Sequence, residues 1–209
     1  MTLKLSKTKD EFIDKIFEKC MDELEEFFKI NWTRNRPSII IFEDRKTLDE
    51  LMGCKTNDWN VGCATGNKVY LLDRSNYEKE SCHKYSDKEY KKLLKHELVH
   101  LYYDIFSKGA RCPRWFDEGL AVFLSNQLEN KNIEKFEKFL DYFQKHGDDI
   151  YTQGGFAIKA LIENFGRDKI FELIKNISLL QTEEKFNEKF KEIYEKKPSY
   201  EFFNSLIKN

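Results

Sequence analysis

Large apolar residues recur at near-helical spacing close to the start of the chain, between Lys9 and Ile30. They are Phe12, Ile16, Met21, Leu24, Phe27 and Phe28. This spacing predicts an amphipathic helix with a buried apolar face. The isoleucine-rich run Pro37–Phe42 predicts a buried strand, and a helical stretch follows around Thr47–Met52.

Two further strands are predicted over Trp59–Ala64 and Lys68–Leu72. They are joined at Thr65-Gly66-Asn67, a turn that tolerates positive φ. From Lys88 onward the apolar spacing is helical almost to the end, with helix stops expected at Gly109, Gly147 and Gly166. Within that region, the segments 133–143 and 170–174 carry large apolar residues on one helical face, which indicates packing rather than cofactor binding.

These elements predict an α+β fold within a single domain over residues 1–209. We expect an α/β lobe with a small mixed β-sheet over about residues 1–108, and a mostly helical lobe over about residues 109–209. The composition agrees with a folded chain, because 40% of the residues are hydrophobic.

Charge and cysteine content exclude several classes of protein. Lys plus Arg (36) nearly balances Asp plus Glu (37), so neither nucleic acid nor an anionic membrane is an expected partner. No apolar run approaches a membrane span, and we expect a cytoplasmic protein. The five cysteines are widely spaced and form no Cys-x-x-Cys pair, which favours reduced thiols. Cys82-His83 could contribute to a second metal site, but no partner pair at metal-ligand spacing accompanies it.

The strongest chemical pattern is Lys95-His96-Glu97-Leu98-Val99-His100. Two histidines four residues apart lie one helical turn from each other and point the same way, so both imidazoles can bind one metal ion. Glu97 lies about 100° around the helix from His96, where it can reach a metal-bound water without being a ligand. The alternative is a pair of ordinary histidines, but His96 and His100 are set among leucines and valine, where imidazoles that lack partners are costly.

A hydrolytic zinc site needs a third protein ligand and an open position for water. The segment Pro113–Ala121 offers Glu118 within a new helix, where Pro113 suits the first turn and Gly119 allows a close approach of two helix backbones. The alternative is a solvated glutamate on a helix surface.

Together, His-Glu-x-x-His and the downstream Trp-Phe-Asp-Glu-Gly-Leu-Ala resemble the gluzincin clan of zinc peptidases, which includes thermolysin and the aminopeptidase N family. The resemblance spans roughly residues 37–166 and is nearest to small peptidase-MA-like domains. It implies one zinc ion held by His96, His100 and Glu118, with Glu97 as the acid/base. Asp104 resembles the carboxylate with which clan members orient a ligand histidine, although an ordinary surface aspartate has the same pattern.

Two further matches concern the substrate. Tyr151-Thr152-Gln153-Gly154 resembles the Tyr-x-x-Gly segment whose tyrosine stabilises the oxyanion, although a tyrosine at a helix start often only packs. Gly62, Cys63 and Ala64 occupy the place of the edge strand that pairs with an extended peptide in this clan, and an internal strand is the alternative.

The chain also departs from related families. It has no Gly-x-Met-Glu-Asn segment, so the glutamate that binds a substrate amine in aminopeptidases is not assigned. Metzincins need a glycine and a third histidine where this chain has Tyr103 and Phe106. Peptide deformylases take a cysteine ligand from a segment that this chain lacks.

The expected function is a zinc-dependent peptidase acting on peptide or protein substrates. The alternatives are a catalytically inactive, zinc-stabilised module that binds a partner protein, and a helical interaction protein without metal.

Overall fold

The structure is a computed structural model that describes residues 7–145, 147 and 149–207. The chain forms two compact units, residues 1–101 and residues 102–209, and the division falls within one long helix. Helices dominate, and one small mixed sheet accompanies them, so the predicted α+β class is confirmed. Every helix among the described residues is too short or too polar to cross a membrane.

The first unit contains the whole sheet. Its elements are α1 (Glu11–Phe28), β1 (Ser38–Phe42), α2 (Arg45–Met52), β2 (Gly62–Thr65), β3 (Lys68–Leu72), α3 (Tyr77–Glu80) and the greater part of α4 (Asp87–Ser107). The strand order is β1-β3-β2, where β3 pairs parallel with β1 and antiparallel with β2. Strand β2 begins at Gly62, whereas the predicted strand began at Trp59. The side chain of Arg45 donates hydrogen bonds to the carbonyls of Asn57, Asp58 and Asn60, which hold this stretch as a loop.

Helix α1 confirms the first predicted element, and its N-terminus is capped by a side chain. The carboxylate of Asp10 accepts hydrogen bonds from the Phe12 and Ile13 amides, so it caps the N-terminus. The apolar face is buried, and Glu23 on the same helix binds Lys91 and Lys95 of α4 at 2.9 and 2.6 Å.

Helix α4 is fixed to the sheet as well as to α1. Leu94 and Leu98 are fully buried, and the Tyr90 hydroxyl donates a 2.9 Å hydrogen bond to the carbonyl of Leu72 at the end of β3. These contacts hold the part of α4 that carries the two histidines of the sequence motif.

The second unit is helical. It contains the end of α4, α5 (Arg114–Leu124), α6 (Asp149–Phe165), α7 (Arg167–Asn176), α8 (Glu183–Tyr194) and α9 (Tyr200–Leu206), with 3₁₀ turns at Phe139–Asp141 and Ile177–Leu179. Its core is aromatic, with ring centroids of Trp115 and Phe139 5.0 Å apart. Rings that join this cluster are Phe116, Phe136, Phe186, Phe190 and Phe203.

Glycines set the approach of α5 to α6. A Cβ at Gly119 would lie 2.5 Å from the carbonyl oxygen of Gly154, and a Cβ at Gly154 would lie 2.6 Å from the carbonyl oxygen of Trp115. The expected close approach at Gly119 is therefore made with α6. Only glycine permits it at either position, because any side chain would enter the backbone of the facing helix.

The predicted helix through residues 133–143 is wrong. Of the apolar positions in that pattern, Phe136 and Phe143 are buried and Ile133 and Leu140 are half-buried, but the described backbone forms only a 3₁₀ turn there. Side chains satisfy its backbone groups, since Asn204 accepts from the amide of Phe136 and donates to its carbonyl. Consequently the described residues before Gly147 form no helix that leads to it, whereas Gly109 and Gly166 do follow helix ends and have positive φ.

Candidate metal centre

His96 and His100 lie one turn apart on α4, and both side chains are buried, with 8% and 4% of their surface exposed. Their Nε2 atoms are 3.3 Å apart, their ring centroids are 4.9 Å apart and their planes are inclined at 82°. The helical spacing therefore brings the two ring nitrogens together, as the sequence predicted.

The 3.3 Å separation fits two ligands of one metal ion. Hydrogen bonds from N–H groups cluster near about 2.9–3.0 Å, so a direct imidazole–imidazole bond would be long. Two nitrogens at about 2.0–2.1 Å from a tetrahedral zinc ion lie roughly 3.3–3.4 Å apart, which is one edge of the tetrahedron. The distance between the Nε2 atoms matches that edge.

Glu118 supplies a third donor. One ligand atom from each of His96, His100 and Glu118 lies within 4.8 Å of the other two, and all three side chains are buried. We call these residues the His–His–Glu group. Two imidazoles and one carboxylate are a donor set that zinc accepts in catalytic sites with three protein ligands. The group is able to hold a metal ion.

Arg114, which the sequence analysis did not identify, binds the Glu118 carboxylate. Its Nη2 donates to Oε1 of Glu118 at 2.9 Å, and its Nη1 donates to Oδ2 of Asp117 at 3.2 Å. The spacing of residues 114, 117 and 118 places all three on one face of α5, and this i, i+3, i+4 pattern is visible in the sequence.

Glu97, the predicted general base, lies on α4 and is 7% exposed. A buried carboxylate next to a metal ligand is the environment in which an acid/base group can be tuned for proton transfer. Its catalytic role stays a prediction.

Asp104 and Tyr151 have defined surroundings in the second unit. Asp104 forms a bidentate ion pair with Arg111 at 2.7 and 3.0 Å, and Tyr151 is half-buried in the first turn of α6. The roles predicted for Asp104 and Tyr151 stay predictions.

Tyr103 is a fully buried tyrosine of the second unit. Burial, together with the charges of Asp117 and Asp104, raises the pKa of Tyr103 well above its ordinary value, so this phenol remains neutral.

Strand β2 lies at an edge of the sheet, so Gly62, Cys63 and Ala64 belong to an edge strand and not to an internal one. The amide of Leu72 donates to the carbonyl of Val61, so this opposed pair occupies a hydrogen-bonded position of the ladder. In an antiparallel ladder the bonded pairs alternate, and the N–H and C=O groups of Gly62 and Ala64 therefore point away from β3.

Cys82 and His83 do not form a second site of this kind. The Nε2 atom of His83 is 2.8 Å from the carbonyl oxygen of Trp59. Within the described part of the chain, the His–His–Glu group is the one set of three histidine, cysteine or carboxylate side chains arranged for a metal ion.

No protein-family model matches this chain, and no match is found among the curated proteins or the solved structures.

Proposed function

We propose that this protein is a zinc-dependent peptidase of the gluzincin type that hydrolyses peptide bonds. The observation that carries the proposal is the His–His–Glu group, whose two Nε2 atoms are separated by the edge length of a zinc tetrahedron. The buried Glu97 beside His96 adds the general base that hydrolysis requires.

Zinc, when bound, supplies a Lewis acid and a water molecule whose pKa falls toward about 7. Glu97 accepts a proton from the attacking water and then donates it to the leaving amine. Tyr151 donates a hydrogen bond to the oxyanion that develops on the scissile carbonyl. Asp104 acts through orientation of a ligand histidine rather than by contact with the substrate.

The substrate in this proposal is an extended peptide. The outer edge of β2 presents the N–H and C=O groups of Gly62 and Ala64, which match the backbone of an added strand. None of the five cysteines, all of which lie in the described part of the chain, forms a disulfide, and this supports a reducing compartment such as the cytoplasm.

Metal content of the purified protein, measured by mass spectrometry, is the first test. We expect about one zinc per chain in the parent and strong loss in His96→Ala and Glu118→Ala. His83→Ala is the matched control, because His83 is exposed and hydrogen-bonds a backbone carbonyl instead of joining the His–His–Glu group. A parent that binds no zinc after reconstitution removes the proposal.

Cleavage of a mixed peptide library is the second test. Glu97→Gln should keep its zinc and lose hydrolysis, whereas Glu89→Gln, an exposed glutamate on the same helix, should cleave like the parent. Equal cleavage by Glu97→Gln and the parent would contradict the role of Glu97. A zinc-loaded parent that cleaves nothing in the library would favour the inactive binding module.

A further inference from the structure

Arg114 is the first residue of α5, and its guanidinium bridges two carboxylates of that helix. The contacts are Nη2 to Oε1 of Glu118 and Nη1 to Oδ2 of Asp117. A guanidinium is planar, so two bonds from its fork fix the direction of both acceptors more firmly than a single point charge would.

The position of Arg114 is unfavourable for the helix itself. The N-terminus of a helix carries the positive end of the macrodipole, where cations are disfavoured, and a cation before a carboxylate at i+4 is the weaker orientation of such a pair. Helix stability therefore does not account for an arginine at this position. The carboxylates that it contacts offer a separate reason.

These carboxylates are among the most buried charges of the second unit. Asp117 is fully buried, Glu118 is 5% exposed and the Arg114 side chain is 16% exposed. In such an environment a charge-assisted hydrogen bond is strong, and the bond to Oε1 restricts rotation of the Glu118 carboxylate about its Cγ–Cδ bond.

We propose that Arg114 is a positioning residue for the metal site: it holds the carboxylate of Glu118 in the orientation that binds zinc. The inference rests on the proposed zinc site. Asp117 helps to hold the Arg114 side chain in place, because its carboxylate accepts a hydrogen bond from the second arm of the same guanidinium. Partners of this kind, which contact a ligand but not the metal, commonly change metal affinity by about 10–100-fold when they are removed.

The test is the dissociation constant of zinc, measured by competition with a chromophoric chelator. Arg114→Gln should weaken zinc binding by about 10–100-fold, and Arg114→Lys should fall between this variant and the parent, since lysine keeps the charge but lacks the fork. Arg74→Gln is the matched control, because Arg74 forms a 2.6 Å ion pair with Asp10 and contacts no residue of the His–His–Glu group. Its zinc affinity should remain within about twofold of the parent.

The cobalt-substituted protein adds a readout that a loss of fold stability would not produce. The visible absorption of Co²⁺ depends on the geometry of its ligands, so a reoriented carboxylate in Arg114→Lys should change the spectrum, while Arg74→Gln should match the parent. Thermal unfolding without metal identifies variants that fold, and Arg114→Lys keeps the test informative if Arg114→Gln does not.

Two results would overturn the inference in distinguishable ways. Folded Arg114 variants that bind zinc as tightly as the parent, or more tightly, would refute the positioning role and leave the proposed peptidase intact. A parent that binds no zinc would remove the proposed function and this inference together.

Discussion

The contact between α5 and α6 at Gly119 yields a prediction whose size follows from the structure. In Gly119→Ala the new Cβ would lie 2.5 Å from the carbonyl oxygen of Gly154. Carbon–oxygen contacts between packed backbones are about 3.3–3.6 Å, so the two helices must separate by roughly 1 Å. A backbone atom cannot turn aside as the end of a side chain can.

Overpacking of this kind costs about 1–3 kcal/mol, and a clash with backbone belongs at the upper end. Alanine returns about 1 kcal/mol through its higher helix propensity. We therefore expect Gly119→Ala to lower the free energy of unfolding by about 2 kcal/mol, which for a chain of this length lowers Tm by roughly 4–8 °C. Because Glu118 is adjacent, zinc affinity should fall as well.

Urea unfolding followed by tryptophan fluorescence measures this change, and Trp115 is the one tryptophan after residue 101. Gly53→Ala is the control: Gly53 has φ +67° and no atom within 4 Å of an added Cβ, so its expected cost of about 1 kcal/mol comes from the backbone alone. A Gly119→Ala protein as stable as the parent would refute the close contact of α5 with α6.

Three more predictions concern the site, the core and pH. Tyr151→Phe should retain zinc and lose about 10²–10³ in turnover on a cleaved peptide, and equal turnover in the variant and the parent would refute its oxyanion role. Phe139→Ala should lower the free energy of unfolding in urea by about 3–5 kcal/mol, because Phe139 is fully buried in the aromatic core of the second unit; a loss below about 1 kcal/mol would contradict that packing. Glu23→Gln should lower stability at pH 7 by about 0.5–1 kcal/mol, since about a third of the Glu23 side chain is exposed and solvent screens its ion pairs.

The pH dependence of the Glu23 variant follows from the direction of the pKa shift. Burial raises the pKa of Glu23, but hydrogen bonds and charge from Lys95 and Lys91 outweigh it and hold the pKa below its ordinary value. A depressed pKa contributes stability that is present above the unfolded value and is lost as pH falls through the folded value. The gap between the parent and Glu23→Gln should therefore close below about pH 4, and parallel stability curves down to pH 2 would contradict the ion pairs.

Elements with regular apolar spacing could be predicted from sequence. Helix α1, the strand β1 and the hairpin of β2 with β3 all form close to where the pattern placed them. Exceptions arise where side chains distant in sequence bind the backbone. Arg45 holds the residues before β2 as a loop, and Asn204 replaces the helical partners of Phe136. Apolar spacing reports which side chains are buried, and it does not report which groups satisfy the backbone.

The candidate site likewise combines features that the sequence predicts with features that only the packing of separate elements determines. The four-residue interval between His96 and His100 is enough to bring two imidazoles together, because a single helix fixes their separation. The sequence could also name Glu118 as a third donor, by its resemblance to gluzincins. Its distance from the histidines, the position of β2 at the sheet edge and the bridge from Arg114 depend on how separate elements pack. Local spacing is set by backbone geometry within one element, whereas contacts between elements depend on the whole balance of packing, and only the tertiary structure decides them.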